Sequence, residues 1–259
     1  MKISIITINR NNSEGLAKTF ASVALQNRNN IEFIVIDGAS TDNSLSMIDA
    51  NKDLIDYVIS EPDSGIYDAM NKGIKVATGD YLFFLNSGDI FYDSTVLDVF
   101  VKKNYTQDFI LGGVCFVSGT LQYKSYLPKK MSFFDFLEGV CHQGSFIKRS
   151  VFNKVGKYDL KYKITADWVL LIKAILLEKC SYLVHHDIVS YYNLDGLSSQ
   201  SSSKFEAEKE KKIFLYENHI EYNGFLFYLY RFSYRILKIR FFYKLSQIKA
   251  RKNENTSNK

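Results

Sequence analysis

The stretch YLFFLNSGD, Tyr81 to Asp89, runs through five apolar or aromatic residues and stops at four small or polar ones. A strand covered on both faces has no polar side to alternate with, so Tyr81 to Leu85 is predicted to lie inside a largely parallel sheet. In open α/β sheets, small molecules bind in the crevice beyond the carboxyl ends of the strands. Asn86, Ser87, Gly88 and Asp89 stand at that end.

Upstream the same logic repeats. Ile3 to Ile8 is a mostly β-branched run, and Ser13 to Gln26 carries Leu16, Phe20, Val23 and Ala24 at helical spacing, which makes one βα unit. FIVIDG, Phe33 to Gly38, is a second buried strand leading into a helix over Ser44 to Asn51. Tyr57 to Ser60 reads as a short strand and Ile66 to Val76 as a helix, so the first hundred residues alternate β and α. Right-handed crossovers then place helices on both faces of a Rossmann-like, mostly parallel sheet. Downstream, Phe109 to Tyr126 mixes β-branched, aromatic and Gly residues, which predicts antiparallel strands and turns. Thr165 to Glu178 predicts a helix with Val169, Ile172 and Leu176 on one face, Ser181 to Tyr192 another strand, and Leu197 to Ser203 a loop.

A chain of 259 residues with 46% hydrophobic content can bury a large core. Residues 1–203 are predicted as one α/β domain, with a ligand-binding half over 1–100 and a mixed half over 101–203, followed by a basic tail over 204–259. Cys115, Cys141 and Cys180 lack CxxC spacing, which argues against zinc and a disulfide framework and for a reducing compartment. The start, MKISIITINR, is interrupted by Thr7, Asn9 and Arg10 and does not read as a signal peptide, so a cytoplasmic protein is expected.

Three carboxylates follow apolar runs or open a helix: Asp37, Asp89 and Asp167. Asp caps backbone N–H groups in strand-to-helix turns, so each has a purely structural explanation. Together they suit another chemistry. Cleaving a diphosphate needs a cation against the developing charge, and a transfer to a hydroxyl needs a separate base.

Taken in order, SIITINRNN (Ser4 to Asn12), FIVIDGASTDNS (Phe33 to Ser44), SEPDSGIYDAMNKGI (Ser60 to Ile74), ATGDYLFFLNSGD (Ala77 to Asp89), HQGSF (His142 to Phe146) and ITADW (Ile164 to Trp168) resemble glycosyltransferase family 2. These are inverting, nucleotide-sugar-dependent enzymes with the GT-A fold, and the resemblance covers roughly residues 1 to 195. It implies that Thr7, Asn9 and Asp37 hold the nucleotide base and ribose, and that Asp63, Asp68 and Asn71 face nucleotide or sugar. It places Asn86, Ser87 and Gly88 at the diphosphate and Asp89 at a Mn²⁺ or Mg²⁺ ion. Here the sequence departs from the family's D-x-D element, since Asn86 and Gly88 stand where the family often has Asp. The resemblance further implies His142 and Gln143 at acceptor or donor phosphate, Trp168 as a platform for a sugar ring, and Asp167 as the catalytic base. A UDP-sugar is the first expectation for the donor, and a lipid-linked or oligosaccharide glycan of the cell surface for the acceptor.

Two other classes stay open. A nucleotidyltransferase also uses an α/β sheet and metal, but TINRNN lacks the glycine- and lysine-rich loop that grips a triphosphate. A non-catalytic binding module would explain the altered D-x-D element, against the retention of Asp89 and Asp167.

The tail holds the net charge. Tyr222 to Lys252 contains eight Lys and Arg and no Asp or Glu, against +5 for the whole chain. From Phe225 to Ile239 a helical wheel puts Arg231, Arg235 and Lys238 on one face and Leu226, Leu229, Phe232, Ile236 and Ile239 on the other. An anionic membrane surface is the expected partner, with the protein peripheral on the inner face of the cytoplasmic membrane. No nucleic-acid motif accompanies the charge.

Overall fold

In a computed structural model of the chain, the structure describes residues 1–193 and 201–233. Every residue of β1 (Ile3–Asn9), β2 (Ile31–Asp37) and β4 (Tyr81–Phe84) is buried, because both faces of these strands are covered. Ile5, Phe33, Val35 and Phe83 pack with Leu16, Phe20 and Val23 of α1 (Ser13–Ala24). Ile6, Ile34, Ile36 and Phe84 pack on the other face with Tyr67, Met70 and Ile74 of α3 (Ile66–Val76). Two apolar layers thus sandwich one sheet, as the unbroken runs predict. Between β2 and β4 lie α2 (Ser44–Ala50) and the exposed β3 (Tyr57–Ser60).

The first three strands step outward as β3-β2-β1, and β4 returns to the opposite side of β1, all four parallel. That reversal opens the crevice between the carboxyl ends of β1 and β4. Beyond β4 the sheet continues through antiparallel β8 (Ser145–Lys148) to β6 (Phe109–Ser118) and then β9 (Tyr182–Asn193). The short β5 (Ile90–Phe91) closes that edge, and β7 (Leu121–Ser125) forms the expected hairpin with β6. One pairing departs from the antiparallel expectation: β6 and β9 run parallel. Between strands lie α4 (Val96–Lys103), α5 (Phe133–Glu138) and α6 (Arg149–Val155).

The helix expected over Thr165 to Glu178 divides. Helix α7 (Ala166–Ile172) gives way to a wider π turn over Lys173–Leu177. It also lacks a solvent face in its first part, since Ala166 and Trp168 to Ile172 are all in the core. The loop expected over Leu197 to Ser203 falls partly outside the described residues, and Ser201 already belongs to α8 (Ser201–Glu217). Phe214 and Leu215 of α8 join the same core as Trp168.

Residues 224–233 form a further helix, and its orientation reverses the expected one. Arg231 turns inward to Glu138 (2.9 Å) and Glu208 (3.1 Å), while Leu226, Leu229 and Phe232 are exposed. Two carboxylates on the domain draw in a cation that periodicity alone assigns to solvent. Arg235, Lys238, Ile236 and Ile239 lie outside the described residues. Among the described residues no helix is long and apolar enough to cross a membrane.

Close packing makes one glycine testable. A Cβ on Gly79, just before β4, would stand 2.6 Å from the backbone nitrogen of Ser4. Backbone cannot swing aside as a side chain does, so Gly79→Ala is expected to cost about 1–3 kcal/mol in urea unfolding. A loss under about 0.5 kcal/mol would mean that β1 and the 79 turn separate cheaply.

Candidate active site

The crevice is built first by the turn after β4. Gly88 has φ of +100°, a conformation that favours glycine, and its N–H donates to Thr19 Oγ1 at 3.0 Å. The Thr19 hydroxyl in turn donates to the Asp89 carbonyl at 2.8 Å. Ser87 Oγ donates to the Asn12 carbonyl, and Asn12 Nδ2 to the Ser87 carbonyl, both at 3.1 Å. Helix α1 and the NSGD turn are therefore latched together.

Across this turn run two side-chain chains. In the first, the Tyr67 hydroxyl lies 2.8 Å from Asp167 Oδ1, and Asp167 Oδ2 lies 3.0 Å from His142 Nδ1. His142 Nε2 is 3.3 Å from Asn86 Nδ2. Asp167 so reaches the turn through one imidazole. Nδ1 of the imidazole thus faces the carboxylate and Nε2 faces the Asn86 amide. Burial pushes the Asp167 carboxyl up, but the His142 hydrogen bond and charge, the Tyr67 hydroxyl and the Trp168 N–H outweigh it. The net shift is downward, so the carboxylate is ionised at neutral pH. Its side chain is 22% exposed, enough for a hydroxyl to approach.

In the second chain, Gln143 Nε2 donates to Asp89 Oδ2 at 3.2 Å, and the Asn193 N–H to Asp89 Oδ1 at 3.1 Å. Asp89 is only 4% exposed, and burial pushes its carboxyl up to about 6. The expected metal ligand thus spends both oxygens inside the protein. Among the described residues no three His, Cys, Asp or Glu side chains gather as a metal cage. At this turn the buried Asn86 Oδ1 has no hydrogen-bond partner among the described residues. A single neutral oxygen fits a cation that arrives on a diphosphate with phosphate and water ligands, and does not fit one held by the protein alone.

At the ends of β1 and β2, Asp37 is fully buried and accepts from Asn9 Nδ2 (2.9 Å), the Ser40 N–H (2.9 Å) and hydroxyl (2.5 Å), and the Ser60 hydroxyl (2.9 Å). Burial raises its pKa, and these bonds, Ser40 first, bring it below the usual carboxylate range. Thr7 is turned inward too, donating to the Leu85 carbonyl at 2.7 Å. Asp63 leans over Gly38 toward Arg10, 3.8 Å away, and Asp68 accepts from the Ser64 N–H at 2.9 Å.

Two expected residues stand behind the site. Asn71 uses both ends of its amide on the backbone of Tyr158, at 2.8 and 3.0 Å. Trp168 is 5% exposed, donates to the Phe136 carbonyl at 3.0 Å, and meets Phe214 edge-on at 5.8 Å. An indole enclosed in this way serves the core and offers no face to a sugar. Conversely, Tyr67 was not singled out in the sequence. Its signal is a phenol on the apolar face of α3, which must find a partner for its hydroxyl when buried.

Residues 4–156 match the family model described as Glycosyl transferase family 2. An uncharacterized glycosyltransferase of Mycobacterium tuberculosis is 35% identical over 205 residues, covering 76% of this chain and 77% of that protein. A PGL/p-HBAD biosynthesis glycosyltransferase of Mycobacterium bovis is 30% identical over 203 residues, covering 76% and 78%. Among solved structures, S. aureus TarS 1–349 in complex with UDP-GlcNAc superposes with a TM-score of 0.61 at 18% identity, over 74% of this chain and 58% of that one. The mannosyltransferase PcManGT from Pyrobaculum calidifontis, in complex with GDP-Man and Mn²⁺, gives 0.63 at 16% identity, over 86% and 65%. At such identities the two structures speak for the fold alone. The family model over residues 4–156, the relatives at 30–35% identity and the fold likeness converge: the chain belongs to glycosyl transferase family 2 and is a glycosyltransferase with the GT-A fold.

Proposed function

We propose that the protein is an inverting glycosyltransferase that moves a sugar from a nucleoside-diphosphate sugar to a hydroxyl of a lipid-linked surface glycan. The chain from Tyr67 through Asp167 and His142 to Asn86 carries this reading, because it ties an ionised carboxylate to the turn where a diphosphate would sit. The acceptor hydroxyl gives its proton to Asp167 as its oxygen attacks the anomeric carbon from the face opposite the nucleotide. The bond from that carbon to the diphosphate oxygen breaks, and its electron pair leaves with the nucleotide. The Tyr67 hydroxyl and the Trp168 backbone N–H fill Oδ1, while His142 takes one lone pair of Oδ2, which leaves the other on Oδ2 for the incoming proton. A Mn²⁺ or Mg²⁺ ion carried by the donor, with Asn86 Oδ1 as its protein ligand, would neutralise charge on the leaving diphosphate.

The neighbours favour this donor class, since TarS was solved with UDP-GlcNAc and PcManGT with GDP-Man. A UDP-sugar is our first choice. The PGL/p-HBAD biosynthesis relative fits a place in surface glycan synthesis. A thermal-shift screen of UDP, GDP, dTDP and CMP with and without Mn²⁺ tests the reading, followed by release of free nucleotide from the matching sugar donor. A nucleotide at a hundred times its dissociation constant stabilises by about 2.7 kcal/mol, or roughly 5–10 °C. No shift with any nucleotide and no release would overturn it.

The helix over 224–233 supports a peripheral place on an anionic membrane, the inner face of the cytoplasmic membrane. It is held to the domain by Arg231 and by the Tyr230 hydroxyl on Asp135 at 2.6 Å, and it exposes Phe225, Leu226, Tyr228, Leu229 and Phe232. Truncation after Asn218 keeps α8 and removes this face together with the basic run. The truncated protein is expected to bind nucleotide as the full chain does and to lose sedimentation with anionic liposomes at low salt. Equal sedimentation of the two proteins would remove the membrane from the proposal.

A further inference from the structure

The loop that carries Asp167 is gripped from two sides, and one grip comes from the far end of the chain. On the inner side the Tyr67 hydroxyl lies 2.7 Å from the Ile164 carbonyl. On the outer side Glu210, in the middle of α8, accepts from three successive backbone N–H groups: Lys163 at 2.7 Å, Ile164 at 3.1 Å and Thr165 at 2.9 Å. The Thr165 hydroxyl donates to the same carboxylate at 2.8 Å. Thr165 is the N-cap of α7, a place where a threonine usually accepts from its own helix, yet it makes no such bond. Its hydroxyl is given to Glu210 instead.

Neighbouring contacts repeat the grip. Lys161 pairs with Glu217 at 2.9 Å, and Lys211 stands 5.0 Å over the Trp168 ring while donating to the Glu138 carbonyl at 3.0 Å. Helix α8 thus contacts the segment on both sides of Asp167. The apolar contacts explain why α8 packs; they do not require one carboxylate to collect four donors just before the base. Bonds to an ionised acceptor are about twice as strong as neutral ones, and they fix direction as well as distance.

We infer that Glu210 is a positioning residue for transfer: it sets the backbone of Lys163 to Thr165 so that Asp167 stands against His142 and Tyr67. Helix α8, which lies in the expected tail, is then part of the working site and more than a membrane tether. The inference rests on Asp167 being the base. A displacement of about 1 Å in such a group can cost 10²-fold in rate, while donor contacts along β1, β2 and β4 are untouched.

The test is Glu210→Gln in the full chain, beside Asp167→Asn, with turnover of the donor found in the nucleotide screen. The amide keeps the size of the side chain, loses its charge and sets an NH₂ group against N–H donors. Expected is a tenfold to hundredfold fall in kcat per donor-binding site, on the order of what such a displacement costs. Donor KM and nucleotide affinity should stay within about twofold, with faster hydrogen exchange at amides 163–165 and unchanged exchange in β1 and β2. Glu210→Asp, which keeps the charge, should recover part of the rate. A merely structural role would reduce the number of binding-competent molecules and leave kcat per site alone. Unchanged kcat per site, or unchanged exchange at 163–165, overturns the inference whatever Asp167→Asn does. Full transfer by Asp167→Asn overturns the base instead. If Glu210→Gln does not fold, Thr165→Val decides in its place, because it removes one of the four bonds, and a wild-type kcat per site in that variant would overturn the inference.

Discussion

Replacing Asp167 by Asn lowers the rate of sugar transfer by about 10²–10⁴-fold, the usual contribution of a general base, and leaves nucleotide affinity within about threefold of wild type. The amide has the carboxylate's shape, and its oxygen can still accept from the Tyr67 hydroxyl and the Trp168 N–H, each at 2.8 Å from Oδ1 in the wild type. What it cannot do is take a proton from the acceptor. Because the Asp167 carboxyl is held below its ordinary value, it stays ionised at and around neutral pH. Its own protonation therefore puts no acid limb on kcat/KM between pH 5 and 8. Transfer within threefold of wild type in the Asn variant would take Asp167 out of the role.

Replacing Asp89 by Asn stabilises the protein at pH 8 and has no such effect at pH 4. Burial is the largest influence on this carboxyl, ahead of the Asn193 N–H, the nearby His142 and the Gln143 amide, and it raises the pKa from 3.8 to about 6. A carboxyl with a raised folded pKa binds protons more readily in the folded state. Its ionised form therefore costs stability in full above pH 6, progressively less down to 3.8, and nothing below. At 1.36 kcal/mol per unit the cost is about 3 kcal/mol, or roughly 6–12 °C in Tm for a chain of this size. The Asn variant escapes it, with Gln143 turning its amide over to accept and giving up the weak bond from the Cys141 thiol to its oxygen. A Tm at pH 8 at or below that of wild type, or a difference that does not change with pH, would refute the account.

β1, β2 and β4 were legible because being covered on both faces leaves one kind of sequence, an apolar run that ends in small polar residues. Asn86 to Asp89, His142, Gln143 and Asp167 were each singled out by motif and place, and the structure brings them together. What could not be read was how they meet. His142 reaches Asn86 across 56 positions and Asp167 across 25, and no local pattern encodes those distances. Tyr67 looked like any aromatic on the buried face of a helix. Glu210 sits in EAEKEKK, a run that reads as a solvated charged face, and only the packing of Phe214 and Leu215 turns it toward Thr165. Arg231 misled for the opposite reason, since its partners Glu138 and Glu208 are distant in sequence. Trp168 beside Asp167 suggested a sugar platform, and the core it shares with Phe214 claims it.

The bond from the Asn193 N–H to Asp89 joins positions 104 apart, and it sets a timetable for synthesis. At about 5–20 residues per second a ribosome needs roughly 5–20 s to make that stretch. For the first part of that interval, until Lys148 is made, β4 has an open edge, because its partner β8 begins only at Ser145. The Asp89 carboxylate meanwhile sits in water and carries its charge at no cost. A chain stalled before Asn193 can hold β1 to β4 in register, yet its turn at residues 86–89 still awaits the backbone group that comes last.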